Sequence, residues 1–377
     1  MKIFLVKLLK TQCYGVLSLK SLTLKATAVG SLPYKNAKDA LDLIFDKFKE
    51  IPFWPQLAGV NRHEDMTVQY IQGIPGIKYD KEHEKYIYDA QSEEFFEELE
   101  KFFMDYEAIV NEKDFTNLEK YAITAPFTSA IPIFLEKLKE KKYEFAKCHI
   151  IGPFTWGTSL CDSEGVCAFY DETYREVLVK GLTLKAIWQI EQIKKYSPNT
   201  TPIMFMDEPV MSQYGTSAFI TVQKNDIIEA LSEISEIIKN FSGLSAVHCC
   251  GKSDWSILID SGINIINFDA YTYTKSLAPY SKSINEFLKN NGYIAWGIVP
   301  TLDKEALEKI SLKELEEKFE EAIDDLSQKG IDKNLVIKQS FFTPSCGAGG
   351  LSMELAQKAM TLVNDLSKDL KQKYGVN

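Results

Sequence analysis

Eight short apolar runs, each followed by a segment of helical pattern, recur along the chain, and this alternation limits its possible folds more than any other feature. The runs are LKATAVGSLP (24–33), IPFWPQL (51–57), KCHIIGPFTW (147–156), TPIMFMDEP (201–209), LSAVHCC (244–250), INIINFDAY (263–271), GYIAWGIVP (292–300) and NLVIKQSFFTPSCG (334–347). Bounded by turn residues and apolar throughout, they have the pattern of strands buried on both faces of a parallel sheet. Between them lie amphipathic stretches such as AKDALDLIFDKFKE, NDIIEALSEISEIIKN and SLKELEEKFEEAIDDLSQKG, the last ending in Lys-Gly as helices commonly do. Eight strands alternating with helices predict an α/β fold, a single (β/α)8 TIM barrel. A doubly wound open sheet is the alternative, but eight units fit closure better.

One connection is too long for a loop. Residues 58–146 separate the second and third runs and are rich in Glu, Lys, Tyr and Phe. Within them IPGIKYDKEHEKYIYD reads as a hairpin and EEFFEELEKFFMDYEAIV as a helix. The expectation is an insertion on a barrel spanning 25–377, not a second domain. Residues 1–24 carry five lysines and no acid if Lys25 is counted with them. Lys7 and Lys10 interrupt the apolar core a signal peptide needs, so this segment reads as an N-terminal extension or an amphipathic helix.

Composition narrows the partners. A net charge of −10 argues against a general nucleic-acid or anionic-membrane binder. No apolar run approaches the ~18 residues of a membrane span. Arg62 and Arg175 are the only arginines, which limits bidentate recognition of carboxylate or phosphate. The seven cysteines are Cys13, Cys148, Cys161, Cys167, Cys249, Cys250 and Cys346, an odd number without regular spacing. That is a poor disulfide framework and suggests a reducing cytoplasm.

In a barrel of this kind, catalytic residues come from the C-terminal ends of strands. Those ends carry Gly30-Ser31, Gly152-Pro153-Phe154-Thr155, Asp207-Glu208, His248-Cys249-Cys250, Asp269 and Cys346. Strand alternation puts His248 and Cys250 on one face and Cys249 on the other. With Cys346, they offer one nitrogen and two thiolates, a set that suits Zn²⁺ and leaves a position for substrate. The plainer alternative is a histidine beside two core thiols. Asp207 and Glu208 read either as acids at a helix N-terminus or as carboxylates that grip a cationic substrate group. Gly30-Ser31 and Gly152-Pro153 read as simple turns or as places where a ligand meets the backbone. Cys148, Cys161 and Cys167 read as core or loop residues, His63 and His83 as solvated, and His149 as a packed residue in mid-strand.

In this order, VGSLP (29–33), the DM of NRHEDMTVQY (61–70), IGPFTW (151–156), MDEP (206–209), VHCC (247–250), NFDAY (267–271) and PSCG (344–347) resemble the C-terminal catalytic half of cobalamin-independent methionine synthase. That family shares a barrel superfamily with uroporphyrinogen decarboxylase and with zinc methyltransferases that use methylcorrinoids. The resemblance covers nearly the whole chain from Thr27. It implies zinc at His248, Cys250 and Cys346, with Asp269 in the place of the family's fourth ligand, a glutamate longer by one methylene. It also implies substrate contacts at Gly30, Ser31, Asp207 and Trp156, and catalytic roles for Asp207 and Glu208.

The implied chemistry is zinc-assisted methylation of a small thiol, with homocysteine the leading candidate. The matching segment WGIVPTLD lacks the histidine of the family's DIHSP-like motif. The amine leaving group of methylfolate needs an acid, whereas a methylcorrinoid leaves as reduced cobalt without one. The family's additional N-terminal barrel half also has no counterpart in this sequence. Both features favour methylcobalamin or a methylcorrinoid protein as donor. The acidic stretch before DM is replaced by LAGVNRHEDM, with Glu64 nearby but offset. Competing expectations are a methylfolate-dependent methionine synthase, a decarboxylase-like lyase, and a zinc-stabilised barrel that binds a corrinoid protein without turnover.

Overall fold

A computed structural model describes residues 20–376. Its centre is a curled, six-stranded parallel sheet within a mixed α/β fold. A two-stranded hairpin, β1 (Ile77–Asp80) and β2 (Lys85–Tyr88), precedes it in the chain. The sheet strands are β3 (Phe145–Ile151), β4 (Thr201–Asp207), β5 (Leu244–Cys249), β6 (Ile265–Asp269), β7 (Tyr293–Val299) and β8 (Ser340–Pro344), paired in chain order. Helices cross between successive strands, among them Glu172–Tyr196, Lys224–Asn240, Ser281–Lys289 and Leu312–Gln328. The last begins at a capping box, in which Ser311 and Glu314 satisfy each other's backbone N–H groups.

The first two apolar runs join the edges of this sheet as isolated parallel bridges, not as regular strands. Ala26 bridges Phe342 on β8, Ser31 bridges Gln56, and Phe53 bridges Lys147 on β3. Bonds from Thr27 N to Phe342 O (3.0 Å), Gln56 N to Gly30 O (3.2 Å) and Lys147 N to Pro52 O (2.8 Å) carry these contacts. Pro52 and Pro55 have no N–H to give, so the run IPFWPQL cannot sustain an unbroken ladder. A second departure lies in NLVIKQSFFTPSCG. Its first part is the helix Lys333–Lys338, started by the Asp332 side chain, which accepts from Leu335 N (2.8 Å). The strand begins only at Ser340.

Within 58–146, the antiparallel hairpin pairs Ile77 with Tyr88 and Asp80 with Lys85. The helix Glu93–Glu107 follows it. The helix Ile131–Leu138 packs against Ala37–Lys47 and Glu172–Tyr196, as a crossover helix would. Of the N-terminal extension, residues 1–19, with Cys13, lie outside the described residues. Leu22 and Leu24 are fully buried. Among the described residues no helix is long and apolar enough to cross a membrane.

Alternation along each strand sorts the side chains into two layers. Ala146, Cys148 and Ile150 face the helices, whereas Phe145, Ile203, Phe205, Ala246, Ile265, Ala295 and Phe341 form a separate cluster on the inner face, together with Leu22 and Ile51. On that same face, toward the C-terminal ends, the residues turn polar. Register sets Asp207, His248 and Asn267 side by side on β4, β5 and β6. Apolar packing below therefore fixes the height and direction of the polar groups above. Because Leu22 fills this inner cluster, Leu22→Ala should lower the unfolding free energy by about 2–5 kcal/mol in denaturant titration.

Candidate metal centre

His248, near the end of β5, is buried, and its orientation is set by Asn267 on the next strand. Asn267 Nδ2 donates to Ala295 O and to Thr343 Oγ1, both at 2.8 Å. With its amide nitrogen so engaged, Asn267 presents Oδ1 to His248 Nδ1 at 2.6 Å. His248 therefore carries its proton on Nδ1 and directs the Nε2 lone pair the other way. Nε2 is buried and has no hydrogen-bond partner. An unpartnered buried ring nitrogen costs about 1–3 kcal/mol. A metal ion would satisfy it, and a second partner on the opposite ring nitrogen is how metal-binding histidines are usually held.

Cys250 and Cys346 complete the group. One ligand atom from each of His248, Cys250 and Cys346 lies within 4.8 Å of the other two. Tetrahedral zinc with bonds of about 2.0–2.3 Å brings its ligand atoms within that span. Cys346 follows β8 in a turn pinned to the end of β7. Thr301 N donates to Ser345 Oγ, Cys346 N donates to Thr301 Oγ1, and the Thr301 hydroxyl donates to Cys346 O, each at 3.0 Å. Cys249 points to the opposite face, buried, with its thiol toward Gly251 O.

The electrostatics favour a cation. The Cys346 thiol and His248 pull Cys250 down to about 4, so the pair releases a first proton readily. Cys346 moves up, because it shares its proton with Cys250 and is buried. Burial opposes charge on His248, but the neighbouring Cys250 and the Asp207 carboxylate outweigh it and raise its proton affinity.

The other candidate residues divide clearly. Asp207 is the register neighbour of His248, and its Oδ1 is buried without a partner. Burial raises its proton affinity, opposed by Lys147 and His248. Glu208 is engaged elsewhere. It accepts from Phe154 N (2.9 Å), Thr155 N (2.8 Å) and the Thr155 hydroxyl (2.6 Å), at the start of the helix Pro153–Ser159. Burial pushes it up to about 7 against those three bonds. Gly152 is required beside it, since a Cβ there would lie 2.1 Å from Glu208 Cδ. Trp156 is fully buried and its indole N–H donates to Thr67 O at 3.0 Å, leaving no free polar atom.

Ser31 lies against the turn that carries Cys346. Its Oγ would meet a Cβ on Gly347 at 2.1 Å, its carbonyl accepts from Ala348 N (2.9 Å), and its hydroxyl accepts from Gly349 N (3.2 Å). Asp269 stands outside the three-residue group, with Oδ1 held by Thr272 N at 2.9 Å. Aspartate is the shorter acid, which is consistent with that placement. Glu64 is also engaged, its two oxygens accepting from Leu57 N and Ser129 N.

Lys147 and His149 were not singled out for the site by sequence, although both are fully buried on the inner face of β3. Lys147 Nζ bonds Val29 O and lies 3.3 Å from His149 Nδ1. Burial lowers it to about 8, with Asp207 resisting. The His149 ring stacks on Trp54 with centroids 3.8 Å apart, and Gly30 sits directly over its edge. Two polar residues at the inward parity of an apolar strand were the available signal.

Cys250→Ala and Cys346→Ala should each abolish stoichiometric zinc in the purified chain, measured by elemental analysis, whereas Cys249→Ala should keep it. Equal loss in all three would contradict the placement. No protein-family model matches the chain, and no curated protein matches it in sequence. The chemistry of the site is accordingly read from its side chains.

Proposed function

We propose that this chain is a zinc-dependent methyltransferase that activates a small thiol, homocysteine first among candidates, and methylates it from a methylcorrinoid-type donor. The observation that carries this reading is the buried, unpartnered Nε2 of His248, oriented by Asn267 and grouped with Cys250 and Cys346. One nitrogen and two thiolates leave a coordination position for a fourth donor, the arrangement of a catalytic zinc site and not of a closed structural one. The likeness of its strand-end residues to the cobalamin-independent methionine synthase and uroporphyrinogen decarboxylase superfamily supports the same reading. So does a (β/α)8 architecture, in which the bridges Ala26–Phe342, Ser31–Gln56 and Phe53–Lys147 would complete the ring around the six regular strands.

When bound, zinc would keep the acceptor sulfur as thiolate near neutral pH, where a free thiol of pKa about 8.5 is mostly protonated. The chain's own residues do the positioning. Asp207, with a free oxygen beside His248, is placed to hold the ammonium group of an amino-acid thiol. Ser31, packed on the Cys346 turn, sets the floor for the rest of that substrate. The acceptor sulfur then takes the methyl group in one in-line displacement, which requires alignment and exclusion of water.

The donor follows from what the β7 end lacks. Thr301 is bound to Ser345 and Cys346, and WGIVPTLD contains no imidazole to protonate an amine leaving group. A decarboxylase-like role is disfavoured by the arginines. Arg62 donates to the Tyr79 hydroxyl, and Arg175 donates to Phe169 O beside Asp226.

Zinc-loaded protein should transfer methyl from methylcobalamin to homocysteine in an assay that crosses methylcobalamin and methylfolate with homocysteine and coenzyme M. Chelation should abolish transfer while leaving the fold largely intact, as read by circular dichroism. Transfer from methylfolate alone would overturn the donor assignment, and no transfer with zinc bound would overturn the catalytic one. Asp207→Asn should raise KM for homocysteine roughly 10- to 100-fold, the loss of one charge-assisted hydrogen bond of about 1.5–3 kcal/mol.

A further inference from the structure

Away from the metal centre, the loop after the helix Pro153–Ser159 folds back on itself as a small antiparallel turn. Ala168 N donates to Leu160 O (2.8 Å) and Asp162 N donates to Val166 O (2.9 Å). Between these two bonds, Cys161 and Cys167 face each other as an antiparallel bridge. The flanking bonds make them a non-hydrogen-bonded pair, in which Cα atoms stand about 4.5 Å apart and the side chains converge. That separation falls within the range of about 4.4–6.8 Å that a disulfide spans. The two thiols are in contact and half-buried, and the intervening residues 163–166 are exposed, so a small reagent can reach them.

The pair occupies a junction. Cys161 O accepts from Tyr88 N (3.3 Å), the last residue of β2, and so ties the inserted hairpin to this loop. Ser159 and Leu160, just before it, form one wall of a cavity of ≈ 430 Å³ whose other walls include Arg62, Thr67, Tyr79 and Tyr86. The preceding helix is the one whose first N–H groups hold Glu208.

We propose that Cys161 and Cys167 form a dithiol that a low-molecular-weight disulfide, such as oxidised glutathione, converts to an intramolecular disulfide that fastens this loop. One protein thiolate attacks a sulfur of the reagent, forming a mixed disulfide and releasing one glutathione. The second protein thiolate attacks the protein sulfur of that mixed disulfide and releases the other. One protein S–S bond forms and the reagent's S–S bond breaks. Two electrons and the two thiol protons pass from the protein to the two glutathione molecules. Burial and the facing Cys167 raise the Cys161 thiol above its ordinary range, so exchange is slow at neutral pH and quickens in mild alkali.

The test treats the full zinc-loaded chain with oxidised glutathione at about pH 8.5, close to the ordinary thiol pKa. The chain is then denatured, capped with a maleimide and digested with trypsin. The peptide Cys148–Arg175 contains three cysteines, at 148, 161 and 167. The expected product carries one maleimide, on Cys148, and is lighter by two hydrogens across the other two. In Cys161→Ser the same peptide should carry a maleimide on Cys148 and glutathione on Cys167. The oxidised wild type should melt a few degrees higher than the reduced chain, as a bridge that restricts the unfolded state requires, and should revert on reduction. Three maleimides on the wild-type peptide, lasting glutathione on Cys161 or Cys167 there, or a bridge that survives Cys161→Ser would each overturn the proposal.

Discussion

The hydrogen bond between Asn267 and His248 is the constraint on which the rest of the site depends. It joins β5 to β6, and the other end of the same amide reaches the β7 carbonyl of Ala295 and the β8 hydroxyl of Thr343. One side chain thus ties four neighbouring strands and fixes the direction of one imidazole. The cost of an unsatisfied Nε2, about 1–3 kcal/mol, makes sense if that nitrogen has a ligand. Cys250, just beyond the end of β5, and Cys346, just beyond β8, bring thiols within 4.8 Å of it.

Beneath the site, the inner face is closed by Phe145, Ile203, Phe205, Ala246, Ala295 and Phe341. This layer is apolar and fully buried, so the charges above it act strongly on one another. Asp207 interacts across it with both Lys147 and His248. Burial on this scale would be unfavourable for isolated charges. Lys147 is compensated by Val29 O, His149 and the ring of Phe205, whose centroid is 4.6 Å away. Asp207 keeps one buried oxygen unpaired.

Much of this was legible in the sequence, because strand alternation is a hard geometric rule. It assigns His248 and Cys250 to one face and Cys249 to the other, and that is how their side chains are disposed. The six regular strands were visible as apolar runs bounded by turns. What alternation could not show was where a run fails as a ladder. Pro52 and Pro55 reduce the second run to bridges, and the Asp332 cap turns NLVIK into a helix. Nor could it show which carboxylate is already occupied. Asp207 and Glu208 are neighbours in sequence, yet one faces the site and the other caps the helix Pro153–Ser159. Trp156 belongs to the packing of the insertion through Thr67. Such distinctions depend on tertiary contacts with distant residues.

On the proposed function, His248, Cys250 and Cys346 hold one metal ion with a position left for a thiol. X-ray absorption at the zinc edge, recorded on the zinc-loaded chain with and without homocysteine, tests it most directly. The expected spectrum shows two sulfurs at ~2.3 Å and one imidazole nitrogen at ~2.0 Å in a four-coordinate shell, with a third sulfur appearing when homocysteine is added. A shell that homocysteine leaves unchanged, or one without imidazole nitrogen, would contradict it.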